Sequence, residues 1–81
     1  MHYVYILQSK KDGTYYYGAT ADLKQRLLKH NRGDVTYSST KRPFSLVWYA
    51  AFSSSQLAFA FEKYLKSSSG HAFSRKHLLS S

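Results

Sequence analysis

The chain contains no cysteine, so neither a disulfide nor a thiolate metal site can staple it or supply a nucleophile. Only 4 of its 81 residues are acidic, Asp12, Asp22, Asp34 and Glu62, too few for the converging carboxylates that a two-metal nuclease needs. It has one proline and four glycines, so it is neither a proline-rich linker nor a glycine-rich repeat. No apolar run approaches the ~20 residues that span a bilayer, and Met1-His2-Tyr3-Val4 lacks the basic start of a signal peptide. These absences make a cytoplasmic, non-membrane protein the default expectation. Phosphate loops of the GxxxxGK[ST] type, GxGxxG fingerprints and HExxH zinc motifs are also missing.

Aromatic side chains and positive charge are abundant instead. Eight Tyr, five Phe and one Trp bury enough area for a core in a chain of this size, which is one domain over residues 1–81. Twelve Lys and Arg against four acids leave a formal charge of +8. A field of that sign attracts polyanions, with nucleic acid as the usual partner. Lys10, Lys11, Lys24, Lys29, Lys41, Arg42 and Lys66 are the candidate contacts to a phosphate backbone.

Aromatic and β-branched residues from His2 to Gln8 predict a strand, with Val4 and Ile6 on one face and Tyr3 and Tyr5 on the other. Ser9 to Gly13 is a turn, and Thr14 to Ala19 completes an antiparallel hairpin. Thr20 is placed to cap a helix of about three turns carrying Leu23 and Leu27, which Asn31-Arg32-Gly33 stops. Asp34 to Pro43 has no period and reads as a surface loop. Leu46 to Phe52 is apolar at nearly every position, as expected for a strand covered on both faces. Ser53-Ser54-Ser55 caps a second helix, in which Leu57, Ala58, Phe61, Tyr64 and Leu65 keep a helical period. Ser67 to Gly70 reads as a break before a last short helix from His71 to Leu79, anchored by Phe73 and Leu78. The order ββαβαα predicts an α+β fold with a small three-stranded antiparallel sheet flanked by helices.

Glu62, the single glutamate, sits in the best-defined helix, either as a chemical group at the edge of the apolar stripe or as an i, i+4 partner of Lys66. Asp22, Arg26 and His30 recur every four residues on the first helix. They form either a solvated face with an Asp22–Arg26 pair or a phosphate-handling stripe, since Arg clamps phosphate with a planar fork and His titrates near neutrality. Tyr3, Tyr5, Tyr15, Tyr16 and Tyr17 place five phenols on one hairpin, for cross-strand packing or for stacking on bases and binding phosphate. His2, His71 and His77 carry no ligand spacing.

Tyr3-Val4-Tyr5, then Tyr16-Tyr17-Gly18, then a helix with Arg26 and His30, then a helix with Glu62, together resemble the GIY-YIG nuclease superfamily. The likeness extends through Phe61 to Lys66 and Ser69 to Phe73. It is to small stand-alone bacterial members, themselves similar to the N-terminal nuclease domain of the UvrC repair protein. Tyr3 stands at the namesake glycine, Tyr17 at an aliphatic position, and Ala19 where UvrC-like domains carry lysine.

The resemblance implies a DNA endonuclease that hydrolyses phosphodiesters with a single Mg²⁺ or Mn²⁺ held by Glu62. It casts Tyr5 as general base or water positioner, Tyr16 as a hydrogen-bond partner of water or phosphate, Arg26 as phosphate clamp and His30 as proton relay. The roles of Tyr5 and Tyr16 are interchangeable at this level, and whether the two share a face depends on a bulge near Gly13. A base of this kind needs positive charge nearby to favour its phenolate, which Arg26 and the metal would supply. A chain of this length, without a second module, is expected to have little intrinsic specificity for branched, damaged or other DNA and to draw it from a protein partner, a homodimer or the 34–43 segment. Two alternatives keep the charge and drop the chemistry: a non-catalytic nucleic-acid-binding module on the same fold, and a basic domain that docks a protein.

Overall fold

The computed structural model describes residues 1–34 and 36–79, with side chains throughout except at 36–38; Val35, Ser80 and Ser81 lie outside the described residues. Strands β1 (His2–Ser9), β2 (Tyr15–Thr20) and β3 (Phe44–Phe52) form one antiparallel sheet in the order β2-β1-β3. Helix α1 (Leu23–Arg32) follows the hairpin, and α2 (Ser55–Leu65) and α3 (Ser68–His77) follow β3.

β1 is paired on both sides and covered on both faces, so Val4, Tyr5, Ile6 and Leu7 are all buried. Alternation then splits them as the sequence suggests. Val4 and Ile6 pack with Ala58 and Leu65 of α2, joined by Trp48, Phe52, Phe61 and Leu78. Tyr5 and Leu7 pack on the opposite face with Phe44, Tyr16, Leu46 and the α1 residues Leu23 and Leu27. Helices on both faces of one strand thus divide the core in two.

The hairpin register is regular, with Tyr5 opposite Gly18 and Leu7 opposite Tyr16, so Tyr5 and Tyr16 lie on the α1 face together. No bulge arises near Gly13. The irregularity falls instead between β1 and β3, where Leu7 pairs with Leu46 but Ile6 pairs with Trp48, leaving Val47 as an extra residue. That insertion lets Leu46 face α1 while Trp48 faces α2. It also corrects the expectation of a strand covered on both faces: β3 is an edge strand, with Val47 and Tyr49 exposed.

Three local readings change as well. The N-cap of α1 is Asp22, whose carboxylate accepts from the Gln25 N–H at 3.1 Å, while the Thr20 hydroxyl accepts from the Asp22 N–H. The Asp22 side chain is therefore spent on the backbone rather than on Arg26. Part of the expected 34–43 loop is a 3₁₀ helix, Thr36–Lys41. Ser67 to Gly70 does not break the chain; the Ser67 hydroxyl accepts from the Gly70 N–H and starts α3 three residues before His71. Gly70 is demanded there, since a Cβ would run into the Tyr64 carbonyl and Leu65 Cα of α2. Among the described residues no helix is long and apolar enough to cross a membrane.

Candidate active site

The middle of β1 aims Tyr5 at α1, and its ring lies across Gly18 of the neighbouring strand. A Cβ at Gly18 would collide with the Tyr5 ring and hydroxyl, so this position needs glycine for the close approach. Arg26 and His30 are one turn apart on α1 and reach the same phenol. Arg26 Nε donates to the Tyr5 hydroxyl at 3.3 Å, and that hydroxyl lies 3.2 Å from His30 Nε2.

The donor inventory fixes the direction of the first of these bonds. The Arg26 guanidinium can only donate, so the Tyr5 oxygen accepts from it, and the tautomer of His30 sets which of Tyr5 and His30 donates in the second bond. The imidazole is fully buried, edge-on to the rings of Tyr5, Tyr16 and Phe44 at 6.0, 4.6 and 5.7 Å. Burial, reinforced by the Arg26 charge, lowers its pKa to about 4, so it is neutral at physiological pH. The solvated stripe considered from sequence is therefore only partly a stripe: His30 points into the core.

Burial also raises the Tyr5 pKa, outweighing the opposing hydrogen bond and charge of Arg26. Tyr5 is thus a neutral phenol, and Arg26 alone does not favour its phenolate. The Tyr5 hydroxyl in turn holds the guanidinium above its ordinary pKa, with Tyr16 contributing in the same direction. Arg26 stays charged. Tyr16 is half-buried beside His30, closer to solvent than Tyr5.

Glu62 comes from a different helix than Arg26 and His30. It belongs to α2, on the other side of the sheet, and its carboxylate is 3.1 Å from Lys66 Nζ, the i, i+4 pair considered from sequence. Its side chain is 21% exposed, and its charge still reaches Tyr5, adding to the upward shift of the phenol. Among the described residues no three His, Asp or Glu side chains converge as a metal cage. One accessible carboxylate nevertheless fits an ion such as Mg²⁺, which keeps several waters and takes one or two carboxylates.

The basic residues divide. Lys41 pairs with Asp12 at 2.6 Å, Lys11 Nζ donates to the Thr40 carbonyl, Arg42 donates to the Arg32 carbonyl, and Lys66 holds Glu62. Lys10, Lys24 and Lys29 are exposed on the turn and on α1. The other hairpin tyrosines leave the cluster: Tyr17 faces α3, stacked on His71 and within 3.3 Å of the Ser74 hydroxyl, and Tyr15 is exposed. Two contributors escaped the sequence reading. Phe44 closes the His30 cage, and Asn31 accepts from the Phe44 N–H and donates to its carbonyl, tying the end of α1 to the start of β3. The signal for Asn31 was hidden because asparagine before Arg-Gly also suits a helix stop.

A family model described as the GIY-YIG catalytic domain matches residues 1–76. The UPF0213 protein of Staphylococcus saprophyticus is 40% identical over 52 residues, 63% of this chain and 62% of its own length. Its counterpart in Streptococcus pneumoniae is 37% identical over 65 residues, 79% of this chain and 65% of its own. That in Halalkalibacterium halodurans is 42% identical over 66 residues, 80% and 69% respectively. The match therefore spans just under two thirds of the first two relatives. The solution NMR structure of the UPF0213 protein from Bacillus halodurans superposes with a TM-score of 0.59 at 38% identity, covering 98% of this chain and 84% of that one.

Proposed function

The chain belongs to the GIY-YIG family of nuclease domains, and we propose that it is a divalent-metal-dependent DNA endonuclease acting through Tyr5, Tyr16, Arg26, His30 and Glu62. The observation that carries this reading is the chain Arg26 to Tyr5 to His30, in which one buried phenol is oriented by a permanent cation on one side and a neutral imidazole on the other. Structure alone would not ask for so much polarity there, because an apolar pair would fill the same space without desolvating a guanidinium and an imidazole.

Each residue then has a task. Arg26 spends Nε on Tyr5 and offers its terminal nitrogens to a phosphate oxygen. Tyr5, a neutral phenol, positions the attacking water, and His30 Nε2, within hydrogen-bond reach of its hydroxyl, is its partner in a proton relay. Tyr16, less buried, is the second phenol within reach of water or phosphate, and the two tyrosines can exchange these parts. Glu62 is the carboxylate that would hold Mg²⁺ or Mn²⁺, an ion that needs only one or two carboxylates. When bound, that ion supplies Lewis-acid polarisation of the phosphate and neutralises the leaving oxygen. DNA is the substrate favoured by the +8 charge, with specificity coming from substrate structure, a protein partner or a second copy rather than from base reading.

Plasmid nicking tests the reading. Purified chain with Mg²⁺ or Mn²⁺ should convert supercoiled to open-circular DNA, and EDTA, Glu62→Gln and Tyr5→Phe should each suppress it. Equal nicking by wild type and both variants would defeat the residue assignment. Inert protein that still binds DNA would leave the non-catalytic binding module in its place.

A further inference from the structure

The Val47 insertion turns Leu46 and Tyr49 towards α1; Leu46 joins the core on that face, whereas Tyr49 stays exposed. The result is a cleft of about 500 Å³ between the start of α1 and the outer half of β3, with Tyr3, Tyr49, Leu27 and Leu46 as its apolar walls and Lys24 and Asp22 at its helix end. Tyr3 is two positions from Tyr5 on the same strand face, and Leu27 adjoins Arg26, so the cleft borders the candidate active site.

Its chemistry is specific. Tyr49 is 54% exposed beside a buried strand, and its ring lies 6.4 Å from that of Tyr3 at 58°, too inclined for the two to stack on each other. Both rings therefore keep surface for a third flat group. The Asp22 carboxylate accepts from the Gln25 N–H as the cap of α1, and Lys24 supplies a cation on the same wall. An aromatic surface beside a lysine, in a chain of charge +8, matches an unpaired nucleobase whose flanking phosphate meets the ammonium. A base inside a duplex has its faces taken by its neighbours and would have to leave the stack to enter.

We propose that the Tyr3/Tyr49 cleft binds an unpaired nucleobase of a DNA strand, so that single-stranded or unpaired positions are held next to the Tyr5 site. The proposal rests on the nucleic-acid reading of the chain but not on its nuclease chemistry, and the test separates the two. Binding is measured in EDTA by fluorescence anisotropy with three probes of equal length: a single-stranded oligonucleotide, the same strand with abasic residues, and a duplex. Tyr49→Ala should weaken single-strand binding about tenfold, the scale of one lost stacking contact, while Tyr49→Phe keeps it and duplex affinity stays as in wild type. Wild type should bind the abasic strand as weakly as Tyr49→Ala binds the intact one, and a 2-aminopurine placed in the strand should be quenched by wild type alone of these two proteins. The abasic arm needs no variant, so it decides even if Tyr49→Ala does not fold. Equal affinity of wild type for intact and abasic strands would overturn the proposal, as would a Tyr49→Ala loss that is the same for duplex and single strand. A chain that nicks plasmid but shows either result loses only the cleft, and one that passes every binding arm without nicking loses only the enzyme.

Discussion

The Tyr5 hydroxyl lies 3.2 Å from His30 Nε2, and both residues are buried. Tyr5→Phe would take from the buried imidazole nitrogen its Tyr5 partner and from Arg26 Nε that acceptor. We expect a stability loss of about 1–3 kcal/mol, the scale for a stranded buried polar group, read from urea midpoints. Nicking should fall by about a hundredfold or more if Tyr5 handles the attacking water. A variant that is less stable but nicks at the wild-type rate would transfer the water-handling role to Tyr16.

His30 also makes stability depend on pH. In the unfolded chain it titrates near 6.5, and in the fold near 4, because burial and Arg26 disfavour its charge. Between those values the unfolded state takes up a proton that the native state declines. Stability therefore falls as pH drops from about 6.5 to about 4, by about 3 kcal/mol in all for a gap of this size, and levels off below. The Asp12 carboxylate, held well below the usual range by Lys41 and Thr14, acts at lower pH and does not confuse this window. Denaturation midpoints at pH 7, 5.5 and 4.5 should show the slope in wild type and a flatter profile in His30→Gln.

Much of this arrangement was legible from the residue order. The hairpin, three helices, the ββαβαα sequence of elements and the opposite faces of Val4/Ile6 and Tyr5 all follow from local chemistry, because turn glycines, serine caps and alternating aromatics act over a few residues. What stayed hidden depends on partners distant in sequence. The continuous apolar run from Leu46 to Phe52 masks the switch of face at Val47, since every residue in it suits either side. Arg26 and His30 carry the spacing of a solvated stripe, and only the packing of α1 over Tyr5 and Phe44 turns His30 inward. Ser67 to Gly70 reads as a break until α2 lies against it, when the same glycine becomes a contact point.

Two glycines allow packing at the site to be separated from packing of the helices. Gly18→Ala places a methyl group against the Tyr5 ring, which must swing away from Arg26 and His30. The expected cost is about 1–3 kcal/mol of overpacking, together with a nicking defect as severe as that of Tyr5→Phe. Gly70→Ala instead meets the Tyr64 carbonyl and Leu65 Cα, which cannot rotate aside, so α3 must separate from α2. Here the thermal midpoint should drop further, with activity per folded molecule retained. Calorimetry beside nicking rates distinguishes the two outcomes, and equal activity losses at both positions would refute the separation.

Lys66 is placed to compete for the carboxylate that the endonuclease reading assigns to the metal. Its ammonium is 3.1 Å from Glu62 Oε2, and with the lysine side chain 54% exposed the pair is a weak contributor to the fold. Lys66→Met should therefore change stability by less than about 0.5 kcal/mol. A unit charge a few ångströms from the ion-binding oxygen is worth about 1 kcal/mol even in water, so its removal should lower the Mg²⁺ or Mn²⁺ concentration for half-maximal nicking by about fivefold. Lys66 is also a candidate phosphate contact, and losing it should reduce the salt slope of DNA binding in EDTA by about one. The two effects read out separately, one in a metal titration and one in a salt titration. If the metal midpoint does not move in Lys66→Met, and Glu62→Gln nicks with the wild-type midpoint, the ion is held elsewhere and Glu62 returns to being one half of a surface ion pair.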